Sequence, residues 1–188
     1  MSSVAKIKNC LDKLFTKHLL ATNVVACGTL LGVGDCVVQR INMFSNKEQR
    51  YDFSRTGRMI IIGFGLGPFN HYWYALLDRM IKGSTGLSVI KKIACDQLVA
   101  APFFCTSFLS GLALLEGEGI DGAKTEMKDK FLKIYMFDWT FWPLAQFVNF
   151  RFVPGNLRVV YVSSATLLWN SFLSFVKHEH KPQESSVG

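Results

Sequence analysis

Five apolar runs, Leu19–Gly34, Met59–Leu77, Leu98–Leu115, Tyr135–Val153 and Val159–Val176, each carry one narrow stripe of small or polar residues. That combination is the strongest restriction on what the chain can fold into. Helical runs of about 20 residues cross a hydrocarbon core. A polar group left unpaired against lipid costs several kcal/mol, so the stripes must turn towards one another. In the first run Gly28, Gly32, Asp35 and Gln39 follow at steps of four, three and four, on one helix face whose glycines admit a close neighbour. The second run repeats the pattern with Gly63, Gly67, His71, Tyr74 and Asp78, and the third with Asp96, Ala100, Phe103, Ser107 and Gly111. Asp138, Trp142, Gln146 and Asn149 stripe the fourth; Ser163, Thr166, Asn170 and Ser174 stripe the fifth. The expected fold is all-α, a polytopic transmembrane helical bundle with a polar interior.

Composition agrees. Hydrophobic residues make up 49% and charged residues 19%, against roughly 25% charge in an average soluble domain. The length of 188 residues is one domain's worth. Residues 19–176 are expected to form a single bundle, followed by a polar tail over 177–188. Residues 1–18 carry Lys6, Lys8, Lys13 and Lys17 around Val4, Ile7, Leu11, Leu14 and Phe15 at helical spacing. They read as a basic amphipathic helix, either lying in the membrane interface or serving mitochondrial targeting. The formal charge of +7 suits anionic lipid, nucleic acid or an anionic solute, and a basic surface against the lipid bilayer is the simplest of these. The five cysteines include no CxxC and are expected to be buried free thiols.

The charged segments lie between the runs. Arg40, Lys47, Glu48, Arg50, Asp52, Arg55 and Arg58 form one loop, with Asp52, Arg55 and Arg58 starting a helix through exposed ion pairs of about 0–1 kcal/mol each. Arg79, Lys82, Lys91 and Lys92 form a second basic loop. Glu116–Lys133 mixes acids and lysines, including the pair Glu126 and Lys130, and reads as a solvated surface helix. Trp142–Arg158 is semi-polar: Trp142, Pro143, Gln146, Asn149 and Arg151 lead to Pro154-Gly155, where a helix should stop, and Arg158 opens the last run. The result would be a hairpin with polar inner faces, and Trp139 and Trp142 suit an interfacial belt.

Catalytic chemistry finds no support. There is no nucleophile–base pair, metal spacing or phosphate loop, so no enzyme and no cofactor are expected. The interior ionisable groups would be Asp35, Asp96, Asp138 and His71, with His71 most simply a hydrogen-bonded packing residue. The stripes are either interhelical glue, at roughly 0.6–2 kcal/mol per bond, or the lining of a narrow path. Such a path would favour cations unless Arg151 or Arg158 also face it.

The pattern W-P-x-x-Q-x-x-N-F-x-x-V-P-x-x-x-R, read as Trp142, Pro143, Gln146, Asn149, Phe150, Val153, Pro154 and Arg158, resembles the family of small peroxisomal and mitochondrial membrane proteins typified by the Mpv-seventeen protein and the twenty-two-kilodalton peroxisomal membrane protein. Gly34-Asp35 with Gln39, Asp52 with Arg55 and Arg58, Gly67-Pro68 with His71, Asp96-Gln97 with Pro102, and Trp169 extend the likeness along nearly the whole chain. Ala21-Thr22-Asn23, His71-Tyr72-Trp73-Tyr74, Leu77-Asp78-Arg79, Leu115-Glu116-Gly117 and Ala145–Phe150 are most similar to the branch of Mpv-seventeen-like protein 2. Leu19, where many members have proline, points the same way. The resemblance implies four spans, with five apolar helices as the alternative, and no catalytic residues. It implies the mitochondrial inner membrane, with the peroxisomal membrane as the other family location. For this branch it implies support of mitochondrial ribosome assembly and translation, with the large subunit or its assembly factors as partners. Other branches imply a non-selective small-solute channel. Self-association into a homo-oligomer is a further expectation.

Overall fold

The computed structural model describes residues 13–14, 17–45, 49–83, 85–152 and 158–178. Its helices are α1 (Leu19–Ser45), α2 (Phe53–Met80), α3 (Gly86–Cys95), α4 (Ala101–Leu115), α5 (Gly119–Phe152) and α6 (Arg158–His178). A π-helical turn, Asp96–Ala100, joins α3 to α4 without a break, so the described residues form five long rods. Among the described residues there is no strand. Leu19–Phe44 and Gly86–Leu115 are long and apolar enough to cross a membrane. The Pro154 turn, most of the N-terminal helix expected over residues 1–18 and most of the tail lie outside the described residues.

Contacts close the rods into a ring. α1 packs most extensively on α2, α2 on α4, α4 on α5, α5 on α6, and α6 returns to α1. The α1–α2 seam is the closest because glycine lines it. A Cβ placed on Gly63 would lie 2.7 Å from the Gly28 Cα and 2.8 Å from the Cys27 carbonyl oxygen; one on Gly67 would lie 2.7 Å from the Val24 Cα. The small-residue stripes of the first two runs are this contact, the arrangement that lets backbones approach where no hydrophobic effect separates lipid from side chain. Leu31, Met59, Phe108, Leu109, Leu112, Ile134, Trp169 and Leu173 fill the core. On the α5–α6 side the filling is aromatic, with Phe137 stacked on Phe172 at 3.8 Å between centroids and Trp142 edge-on to Trp169 at 6.1 Å.

Several expectations change. The charged stretch Glu116–Lys133 and the fourth apolar run are one continuous helix for almost all their length, α5, with Pro143 deep inside it. The charged stretch is also only partly solvated. The Glu116 side chain is 4% exposed against Arg58, and Lys130 is buried on Glu126 as the i,i+4 spacing predicts. Lys91 and Lys92 belong to α3, which shortens the second basic loop. The third-run stripe fails beyond Ala100: Phe103 is exposed, and the buried face runs through Ala101, Cys105, Phe108, Leu109 and Leu112. The π turn is the cause. The Pro102 ring cannot donate to, and would crowd, the carbonyl four residues back. One residue is added to the turn, with the Ala101 N–H donating to the Asp96 oxygen, and every later side chain rotates by about 100°. Trp142 faces inward on Trp169 and is no interfacial anchor, whereas Trp139 is 44% exposed.

Candidate functional site

At the centre of the ring lies a cavity of about 140 Å³ to which all five rods contribute. Its polar lining comes from Asn70 and Tyr74 on α2, Asp96 and Gln97 on the π turn, Asp138 on α5, and Thr166 and Asn170 on α6. Cys27, Leu31, Phe104, Phe108, Trp142 and Trp169 supply much of the apolar wall. Several lining groups are held in place. Trp73 donates its indole N–H to Asp96 Oδ1 at 2.8 Å, Gln97 donates Nε2 to the Asp138 carbonyl at 3.2 Å, and Tyr135 donates its hydroxyl to the Gln97 carbonyl at 3.0 Å. Tyr74 bonds Gln146, which is itself buried. Two buried polar atoms on this lining have no hydrogen-bond partner among the described residues, Asp138 Oδ2 and Asn170 Nδ2. Carboxyls from two different rods therefore face one partly open, mainly apolar space.

A second polar cluster closes one end of the α1–α2 seam. Asp35, fully buried, accepts from Arg55 Nε at 2.7 Å, from Gln39 Nε2 at 2.7 Å and from Thr56 Oγ1 at 2.7 Å. Gln39 Oε1 accepts the Asp52 N–H at 2.7 Å, and Asp52 caps α2 by accepting from the Arg55 N–H at 2.9 Å. Tyr51 bridges Cys36 and Thr56, each at 2.9 Å. Burial and the Cys36 thiol hold the Tyr51 phenol above its ordinary range. Burial lowers the Arg55 guanidinium from its usual value against the opposing pull of Asp35, and a group that starts so basic stays charged. Asp52, Arg55 and Arg58 do start a helix as expected. Arg55, however, is a buried partner of Asp35 and not an exposed surface cation.

The residues singled out from sequence thus divide. Asp96, Asp138 and Trp142 line the cavity, and Gln146 stands behind it through Tyr74. Asp35 and Gln39 lie in the end cluster, away from the cavity. His71 Nδ1 pairs with Asn23 Nδ2 at 3.0 Å and packs α2 on α1. Pro143 is inside α5; Asn149 and Arg158 are helical, and their side chains, like Pro154, lie outside the described residues. The sequence assigned no site role to Asn70, or to Gln97, Trp73 and Arg55 beyond their place in the family likeness. Gln97 was visible beside Asp96 just before the third run and Asn170 in the stripe of the fifth, whereas Asn70 stands one position off the stripe of its helix. Among the described residues Cys27, Cys36, Cys95 and Cys105 are free thiols.

Ring, glycine seam and polar cavity define an integral membrane helical bundle. The chain belongs to the Mpv17/PMP22 family, whose model matches residues 113–174. It is 36% identical to the Mpv17-like protein of Xenopus laevis over 87% of this chain and 80% of that one. It is 33% identical to PXMP2/4 family protein 4 of Dictyostelium discoideum, covering 87% and 89%. It is 31% identical to the mitochondrial inner membrane protein Mpv17 of Mus musculus, covering 89% and 96%. No solved structure matches the chain significantly. The relatives named mitochondrial inner membrane protein Mpv17 place it in the mitochondrial inner membrane.

Proposed function

We propose that this inner-membrane protein supports assembly and stability of the mitochondrial ribosome, and through it mitochondrial translation, without catalysing a reaction. The branch likeness carried by His71–Tyr74, Leu77–Arg79 and Ala145–Phe150 motivates the reading. The structural observation that carries it is the basic turn between α2 and α3. Arg79 in the last turn of α2, Lys82 in the turn itself and Lys91 on α3 are all exposed, on either side of Gly83, which takes φ +89°. Cations grouped at the end of a membrane bundle suit rRNA phosphates or acidic faces of large-subunit proteins and assembly factors. The first basic loop is a poorer candidate, because Arg55 and Arg58 are engaged with Asp35 and Glu116. Replacing Arg79, Lys82 and Lys91 together with glutamine should reduce co-sedimentation of the protein with the large subunit by about tenfold at moderate salt, since each lost phosphate contact weakens binding. Membrane insertion should be unchanged. Undiminished co-sedimentation of the triple variant would remove this surface as the attachment site.

A second reading is favoured by the cavity. Two carboxyls and no cationic side chain among its described lining residues suit passage of small cations or polar solutes. In planar bilayers Asp96→Asn should lower any cation-over-anion preference severalfold. Asp35→Asn should not act on selectivity, because Asp35 is sealed behind Arg55. Folded protein that leaves the bilayer silent removes the reading.

A further inference from the structure

The cavity is electrostatically incomplete. Asp96 and Asp138 both face it and repel each other. Asp138 is 8% exposed and its Oδ2 has no partner among the described residues. No Lys, Arg or His is among the described residues that line it. Two carboxylates in a low-dielectric space require a counter-cation or a shared proton. On α6, Asn170 is 6% exposed, and its Nδ2 is a second orphan on the same wall, a donor that asks for an acceptor. Phe104, Trp142 and Trp169 line the same cavity.

We infer that the cavity is a binding site for a small primary alkylammonium carrying a hydroxyl, with Asp138 Oδ2 and Asn170 Nδ2 as its two anchors. The ammonium, with three N–H donors, satisfies Asp138 and offsets the negative charge shared with Asp96. Its methylenes lie on aromatic faces that attract cations, and its hydroxyl oxygen accepts from Asn170. A bare metal ion fits less well. Calcium takes six to eight oxygen ligands and magnesium keeps near-octahedral geometry, whereas most of this wall is carbon. Among the described residues no three His, Cys, Asp or Glu are placed to hold a metal. Size is consistent, since about 140 Å³ accommodates a molecule of a few heavy atoms. The inference deepens the reading of the cavity as a solute site. Binding is read here at equilibrium, so a silent titration and a silent bilayer are separate failures.

The test is thermal unfolding of the full-length protein in nanodiscs, titrated with ethanolammonium chloride. Ethylene glycol serves as the neutral isostere, propylammonium as the analogue without a hydroxyl, and sodium chloride as the ionic-strength control. A ligand that binds only the folded state raises the midpoint saturably. Ethanolammonium should do so, propylammonium more weakly, and ethylene glycol and sodium chloride not at all. Asp138→Asn should weaken the ethanolammonium response by about tenfold or more. Asn170→Leu should abolish the preference for ethanolammonium over propylammonium. Equal shifts with sodium chloride or ethylene glycol, or no saturable shift in the folded wild type, would overturn the assignment. So would an undiminished response in Asp138→Asn. If that variant does not fold, the comparison of the two isosteres on the wild type and the Asn170→Leu titration still decide it.

Discussion

Arg55→Met is expected to lose about 3–5 kcal/mol of stability, the usual result of removing one partner from a buried ion pair. The mechanism is the stranding of Asp35. That carboxylate is fully buried and is paired with Arg55 Nε at 2.7 Å. Gln39 and Thr56 would still donate to it, but neither carries charge. Because the same cluster fixes the Asp52 cap and the turn into α2, the loss should spread to the whole α1–α2 seam. Unfolding in mixed detergent micelles would measure it. The double variant Asp35→Leu, Arg55→Met should recover most of the loss, since an apolar pair of similar volume is often no less stable than the ion pair it replaces. A single Arg55→Met variant as stable as the wild type would show that Asp35 is not held by charge.

The second large effect belongs to the glycine seam. Gly63→Val should cost about 1–3 kcal/mol or more, because the added atoms meet backbone and not the movable end of a side chain. Backbone at 2.7–2.8 Å from the first Cβ cannot give way without separating α1 from α2. Gly65 provides the control within the same helix. Nothing lies within 4 Å of a Cβ placed there, so Gly65→Ala should leave stability unchanged or raise it by about 0.5–1 kcal/mol. The same micelle titration compares them. Equal behaviour of the two variants would mean that the seam is looser than its geometry.

Much of the bundle was legible from spacing. Gly28, Gly32, Asp35 and Gln39 do share a face, and that face does meet the one bearing Gly63 and Gly67. Asp138, Trp142 and Gln146 do point inward from α5. Where spacing failed, a local physical cause interrupts the period. Pro102 forces a π turn that rotates all of α4, and a stripe drawn at constant pitch then runs from Ala100 onto the exposed Phe103. The surface helix read over Glu116–Lys133 and the span read over Tyr135–Val153 are not separate elements. A helix can leave one environment for another without ending, and polarity marks the environment and not the helix boundary.

Sequence by itself therefore settled the class of molecule, the inward side of most helices, the small-residue packing of the first two and the family. Each of these follows from chemistry repeated along a single helix, which a 3.6-residue period makes visible. Only the tertiary structure decided which polar groups meet. Asp35 and Arg55 are twenty positions apart, and Asp96 and Asp138 are forty-two apart, yet the first pair neutralises itself while the second faces an open space. Nothing in either local stretch distinguishes these outcomes. A carboxylate's environment is set by what the neighbouring rods bring to it, and that depends on their rotation and order round the ring.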